Sequence, residues 1–174
     1  GHRWGDLSEP GYGVDILNNS KYGYEALGSD LMLSLLRSPL YPDPLADEGE
    51  HHFTYSIYPH TGNWTEAGVV QEAFALNSPL VVSNGGALPS FAQVAGIELG
   101  IGALKRAEDG NGLILRIYEP NGARGQGTIS FARAMATIEE VNLLEDSLGF
   151  ATSGTTVDLE FGPFQVRTLR LVPA

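Results

Sequence analysis

Twenty-one carboxylates, four imidazoles and no thiol set the chemistry open to this chain of 174 residues. Acid pairs stand at Asp43/Asp47, Glu48/Glu50, Glu108/Asp109 and Glu139/Glu140. A retaining glycosidase needs two carboxyls about 5–5.5 Å apart on either side of the scissile bond. All four pairs fall in turns or polar connectors, where solvated acids are the ordinary case, and the sequence sets none of them across a cleft. The histidines are His2, His51, His52 and His60. Adjacent side chains of an extended chain diverge, so His51 and His52 point apart if both are extended. A site drawn from Asp47, Glu50, His52 and His60 would combine oxygen and imidazole donors, but no HExxH-type spacing supports it. No metal ligand is assigned.

Nucleophilic and phosphate chemistry find no better footing. Ser8, in Leu7-Ser8-Glu9-Pro10-Gly11, lacks the G-x-S-x-G elbow and its strand–turn–helix setting. Gly122–Gly127 reads as a flexible turn between strands, not a phosphate loop opening a helix. Asn63-Trp64-Thr65 is a glycosylation sequon, meaningful only in a secreted chain. No complete active site is visible, and no catalytic residue is assigned.

Charge narrows the partners. The net charge of −11 argues against nucleic acid and against an anionic membrane surface. Residues 1–84 hold 11 acidic and 3 basic side chains, with both Trp and six of the seven Tyr. Acids beside aromatic rings suit a sugar surface, and equally describe core rings under a solvated acidic face. No apolar run reaches the ~18–20 residues of a membrane helix. The absence of cysteine fits a reducing compartment.

The elements that must position these groups are mostly strands. Glycine (22) and proline (10) punctuate short apolar runs, which predicts an all-β, mainly antiparallel protein with one short helix. Asp6–Gly11 reads as a polar turn leading into a strand over Tyr12–Leu17, and a second strand covers Tyr22–Leu27. Leu31–Arg37, apolar at nearly every position, predicts a strand buried on both faces. Ser38–His51 is a long loop with three prolines, and His52–Pro59 alternates as a strand. Thr65–Ala75 predicts the helix, with Thr65 as N-cap and Val69, Val70, Ala73 and Phe74 as its apolar face. Ser83–Pro89 is the expected linker.

Beyond it, strands are predicted over Phe91–Ala95, Ile97–Leu104, Leu113–Glu119, Thr128–Met135, and around Val157–Phe161 and Phe164–Leu171. Asp109-Gly110-Asn111-Gly112 predicts a type I′ hairpin turn. The apolar phase flips between Val166 and Leu169, which predicts a bulge near Arg167-Thr168. The outcome is two antiparallel β units.

An ordered set of stretches then carries a family resemblance. It begins with His2-Arg3-Trp4, Asp6-Leu7-Ser8-Glu9, Gly11-Tyr12-Gly13-Val14, Leu17-Asn18 and Lys21-Tyr22-Gly23-Tyr24. Leu31–Pro39, Tyr41-Pro42-Asp43-Pro44, Phe53-Thr54-Tyr55 and Tyr58-Pro59-His60 follow. Ala103–Gly110, Leu115–Glu119, Asn142–Glu145 and Pro163–Leu171 complete the series. Together they resemble the C-terminal region of glycoside hydrolase family 38, the α-mannosidases, and its bacterial and cytosolic type most. Gly5 and Asp15 depart from the family pattern, which often has Ala at the first and Ala or Ser at the second.

The resemblance implies a β-sandwich, with residues 1–84 ending a galactose-mutarotase-like supersandwich and residues 90–174 forming a terminal β-sandwich domain. It implies a parent enzyme that hydrolyses terminal α-D-mannosides with retention, through an aspartate nucleophile and a zinc ion. Both belong to the N-terminal catalytic half, so no cofactor is expected in this stretch. The dense motif at residues 2–19 suggests a chain cut from something longer. Candidates for the cleft rim are Asp6 and Glu9 in the opening turn and Arg37, Asp43, Asp47 and Glu50 in the long loop. Candidates for stacking on sugar, should the chain bind mannosides by itself, are Trp4, Tyr12, Tyr41 and Trp64. Implied partners are the catalytic half of the same polypeptide and mannose-containing glycans, with homo-oligomer contacts as a third reading. The implied location is the cytoplasm.

Overall fold

The alternation in Tyr12-Gly13-Val14-Asp15-Ile16-Leu17 builds a strand that is central to everything in the first half of the chain. The computed structural model describes residues 1–82, 84–86 and 90–174. It divides into two units, Gly1–Ser83 and Asn84–Ala174. Four positions of the expected linker, Ser83 and Ala87-Leu88-Pro89, lie outside the described residues.

In the first unit, β2 (Tyr12–Asn18) is the middle strand of an antiparallel sheet ordered β1–β2–β5, with β1 spanning Trp4–Glu9 and β5 Tyr55–His60. The predicted turn over Asp6–Gly11 is shorter than expected. Pro10 fixes its own φ and Gly11 takes φ 89°, so two residues reverse the chain. Asp6–Glu9 are strand because β2 gives each a ladder partner, from Trp4 opposite Leu17 to Glu9 opposite Tyr12.

A separate hairpin, β3 (Tyr24–Leu27) and β4 (Asp30–Leu33), turns through Gly28 at φ 62°. Here the prediction for Leu31–Arg37 fails. The run is not a sheet centre: among the described residues β4 has one partner strand, Leu31 and Leu33 are half-buried, and Met32, Leu35 and Leu36 are exposed. A continuous apolar run reports burial pressure, not the number of neighbouring strands.

The helix α1 (Val69–Asn77) begins four residues later than predicted. Thr65 is not its N-cap. Asn63 Oδ1 accepts instead from the backbone N–H of Thr65 and of Glu66, both at 3.0 Å, and so caps a preceding turn; Gly68, at φ 68°, stands at the start of the helix proper. At the other end Asn77 donates from Nδ2 to Ala73 O (2.8 Å) and to Asn18 O (3.0 Å), tying the helix to β2. Val69 and Ala73 pack on Leu17 with Trp4, Tyr58 and Trp64 around them. Phe74 points outward, 41% exposed, and leaves the predicted apolar face.

The second unit is a β-sandwich of six strands: β6 (Ala92–Gly96), β7 (Gly100–Arg106), β8 (Leu113–Tyr118), β9 (Gly125–Val141), β10 (Ser147–Phe161) and β11 (Val166–Pro173). The order is β10–β9–β11–β8–β7, with β6 also on β9. Gly127–Phe131 of β9 carries the β6 partners, Met135–Val141 the β11 partners, and β10 runs along both. Three register shifts between Ser147 and Thr156 bend that long pair. Ile117, Ile129, Ile138, Leu169 and Leu171, all fully buried, lie in one core cluster.

Two local predictions are corrected in this unit. The 109–112 turn has positive φ at Gly110 (79°) and Gly112 (86°) only, so it is not type I′; Gly110 N–H closes back on Ala107 O at 2.9 Å. No bulge interrupts Arg167-Thr168: β11 pairs β8 without a shift from Val166 to Leu171. The phase flip arises because Phe164 precedes the strand, at φ 55°, and because Val166 lies exposed on the other face from Leu169 and Leu171.

Candidate functional site

Strand pleating puts Trp4, Asp6 and Ser8 of β1 on the same face as Gly13, Asp15 and Leu17 of β2 and Ser56, Tyr58 and His60 of β5. Asp6 and Asp15 are direct cross-strand partners, as are Gly13 and His60. Toward Trp4 and Leu17 this face is closed by α1; toward Asp6, Asp15 and His60 it holds charge. His60 Nε2 lies 3.0 Å from Asp15 Oδ2 and 3.3 Å from Asp6 Oδ1. The side chains are nearly removed from water, at 0% exposure for Asp15, 3% for His60 and 13% for Asp6.

The hydrogen bonding is incomplete. Asp6 also accepts from Ser8 Oγ at 2.6 Å. Among the described residues, both Asp15 oxygens and His60 Nδ1 have no hydrogen-bond partner; His60 Nε2 has its hydrogen bond with Asp6. Burial, and then the Asp6 carboxylate beside it, push Asp15 up to about 6, while His60 pulls it down. Such a group is costly unless something compensates it. The imidazole is seated on Gly13, where a side chain would collide with it, and stacks at 6.2 Å on the Tyr58 ring. Tyr58 is itself held by a hydrogen bond from its hydroxyl to Ala67 O at 3.1 Å.

Two open cavities flank the sheet. One of about 510 Å3 is lined by His60, Tyr58, Thr61, Glu66 and Tyr12. The other, about 650 Å3, lies against the opposite face, among Leu7, Tyr12, Val14, Ile16, Leu31 and Ile57. Tyr12 touches both and is 52% exposed.

Most residues singled out from sequence do not converge. Asp6 is in the buried cluster; Glu9, exposed at the end of β1, lines the larger cavity. Arg37 is exposed in coil. Asp43 accepts from Leu45 N–H (2.9 Å) and Asp47 from Ser38 N–H (2.8 Å), which fastens the loop to itself. Glu50 pairs with His52 at 3.2 Å in full solvent. The set Asp47, Glu50, His52 and His60 is therefore not a site, since His60 belongs to Asp6 and Asp15. Trp4 and Trp64 pack on each other at 5.2 Å and are half-buried, while Tyr12 and Tyr41 are the exposed rings.

Sequence reasoning missed Asp15. It read that residue as a minor departure from a pattern, although an acid between Gly13 and Leu17 on the inward parity of a strand was the signal available. His60 stands 45 positions from Asp15 and 54 from Asp6, so no spacing motif could join them.

Comparison with known proteins gives this geometry a family. The model of the glycosyl hydrolases family 38 C-terminal domain matches residues 1–45, and that of the family 38 C-terminal beta sandwich domain matches residues 99–169. Alpha-mannosidase 2C1 of Homo sapiens is 39% identical over 187 residues, covering 98% of this chain and 18% of its own length. Alpha-mannosidase G of Dictyostelium discoideum is 36% identical over 194 residues, covering 99% of this chain and 17% of its own length. A crystal structure of a family 38 protein from Enterococcus faecalis superposes with a TM-score of 0.73 over 97% of this chain and 22% of that one, at 22% identity, a likeness of fold. The chain thus spans less than a fifth of the curated relatives it matches. With both C-terminal domain models matched along one β-rich chain, it belongs to glycosyl hydrolase family 38, as part of that family's C-terminal region.

Proposed function

We propose that this chain is a non-catalytic β region of a retaining, zinc-dependent α-mannosidase, bracing a catalytic half and lending loops to the rim of its cleft. The observation that carries the reading is the near-complete alignment of the chain with two proteins named as alpha-mannosidases. The open apolar face of β1–β2–β5, with Leu7, Val14, Ile16 and Ile57, supports it as a surface on which another layer packs. The zinc and the nucleophile of the reaction are assigned to the catalytic half. The acids of the 38–51 loop fasten the loop itself or stand in solvent. A cytoplasmic location accords with the cysteine-free sequence.

The test is activity on an aryl α-mannoside with added zinc. The 174-residue chain alone is expected to be inactive, and a longer chain carrying a catalytic half active. Metal-dependent turnover by the short chain would overturn the reading.

A second reading, mannoside binding by the chain itself, is favoured by one observation. Tyr12 presents an exposed ring at the mouths of both cavities, beside Glu9 in one and Glu66 in the other. Calorimetric titration with mannobiose decides it, and no saturable signal at millimolar sugar would remove it.

A further inference from the structure

We propose that Asp6, Asp15 and His60 form a binding site for one divalent first-row cation, of the zinc or manganese class, that clips β1, β2 and β5 together. The proposal stands on the geometry of this unit and is independent of the activity of any parent enzyme.

Three lines of structure lead to it. The donor atoms converge: one oxygen from each carboxylate and one imidazole nitrogen lie within 4.8 Å of one another. Bonds of about 2.0–2.2 Å to a first-row cation place neighbouring ligand atoms about 2.8–3.6 Å apart, the low end at octahedral and the high end at tetrahedral angles. The 3.0 and 3.3 Å separations of His60 Nε2 from the two carboxylates fall in that interval.

The second line is the orphaned chemistry. A hydrogen-bonded triad would use the Nε2 proton on one carboxylate and leave the other facing it without a donor. Asp15 is fully buried, and neither of its oxygens has a hydrogen bond among the described residues. A cation at the centre of the cluster would take one lone pair from each of Asp15 Oδ2, Asp6 Oδ1 and His60 Nε2. The third line is charge. Two carboxylates stand together at the cluster with little access to water, and a divalent ion offsets their charge.

The remaining elements serve the same end. Gly13 leaves room for the imidazole, Tyr58 stacks on it, and Ser8 Oγ donates to the far oxygen of Asp6 and so orients that carboxylate. Three protein ligands leave a position for water, and the cavity over His60 is the path to it. Carboxylate and imidazole together suit zinc or manganese better than calcium or magnesium, which take oxygen alone.

The experiment is calorimetric titration of the untagged 174-residue chain, stripped with a chelator, with zinc and separately with manganese. One saturable equivalent and a raised melting temperature are expected. Asp15→Asn and His60→Gln should each weaken binding by more than about tenfold, since even the loss of an outer-shell partner costs that much. His52→Gln, which alters the exposed histidine beside Glu50, should leave the titration unchanged. Should either variant fail to fold, cobalt added to the unaltered chain decides: visible d–d bands of low-coordinate cobalt, displaced by zinc, support the site. Absence of saturable binding, a spectrum of aqueous cobalt only, or an unchanged titration in folded Asp15→Asn would overturn it.

Discussion

Gly13 and His60 face each other across β2 and β5, and the imidazole occupies the space a side chain at Gly13 would need. A methyl group there would lie 2.6 Å from His60 Nε2 and 2.7 Å from Ser8 Cβ, nearer than carbon and nitrogen approach in packed proteins. Gly13→Ala is therefore expected to destabilise the first unit by about 1–3 kcal/mol, the range for overpacking a filled site. Urea denaturation measures this, and the shift of the His60 ring resonances reports displacement of the imidazole. Unchanged stability together with unchanged resonances would contradict the contact.

Glu119 gives the second unit an acid-sensitive joint. Its side chain is buried, and burial alone would raise its pKa. Backbone N–H groups of Phe164, Asn121, Ala123 and Gly122 more than offset that and hold it below the ordinary 4.5. A folded-state value below the unfolded one means stability is present above the unfolded value and is lost as pH falls through the folded value. Denaturation midpoints should drop as pH falls below the ordinary glutamate range. In Glu119→Gln the dependence should flatten, with a loss of about 1–3 kcal/mol at neutral pH. Identical acid slopes in the two proteins would rule this out.

Arg167 binds Glu140 through two nitrogens, Nε donating at 2.7 Å and Nη2 to the other carboxylate oxygen, while Nη1 reaches Glu160 O at 2.9 Å. Both side chains are 16% exposed. That places the pair between an exposed bridge, worth roughly 0–1 kcal/mol, and a buried one whose breakage costs roughly 3–5 kcal/mol. Arg167→Ala is expected to cost about 2 kcal/mol. Arg167→Lys, which keeps the charge and loses the fork, should recover less than half of it in chemical denaturation.

Burial, not hydrophobicity, should rank the aliphatic positions of the second unit. Ile138 is fully buried in the sandwich core, and Leu144 is 83% exposed in the connector after β9. Ile138→Ala is expected to cost about 2–5 kcal/mol and Leu144→Ala to stay within about 0.5 kcal/mol. Thermal melts of the two variants separate them.

Asn63, not Thr65, should carry the cap before the helix. Its Oδ1 accepts from two backbone N–H groups and from the Thr65 hydroxyl. Asn63→Ala is expected to cost about 1 kcal/mol, and Thr65→Val less. The reverse order would return the cap to Thr65.

By itself, the sequence determined what is local or periodic. Alternation in Tyr12–Leu17 and Leu113–Tyr118, and the glycine turns at Gly11 and Gly110, are read from neighbours in the chain, because pleat and turn are set by backbone sterics over a few residues. The ordered stretches from His2 to Leu171 carried the family for the same reason, being linear patterns. Tertiary structure alone decided how many strands flank each run. Leu31–Leu33 is as apolar as a sheet centre, yet has one neighbour among the described residues. It also decided the site. Asp6, Asp15 and His60 come from three strands, and only the registers Asp6 opposite Asp15 and Gly13 opposite His60 bring both carboxylates within 3.3 Å of the imidazole. A one-residue slip of either ladder would turn the side chains of the slipped strand to the other face, and no sequence separation encodes which register holds.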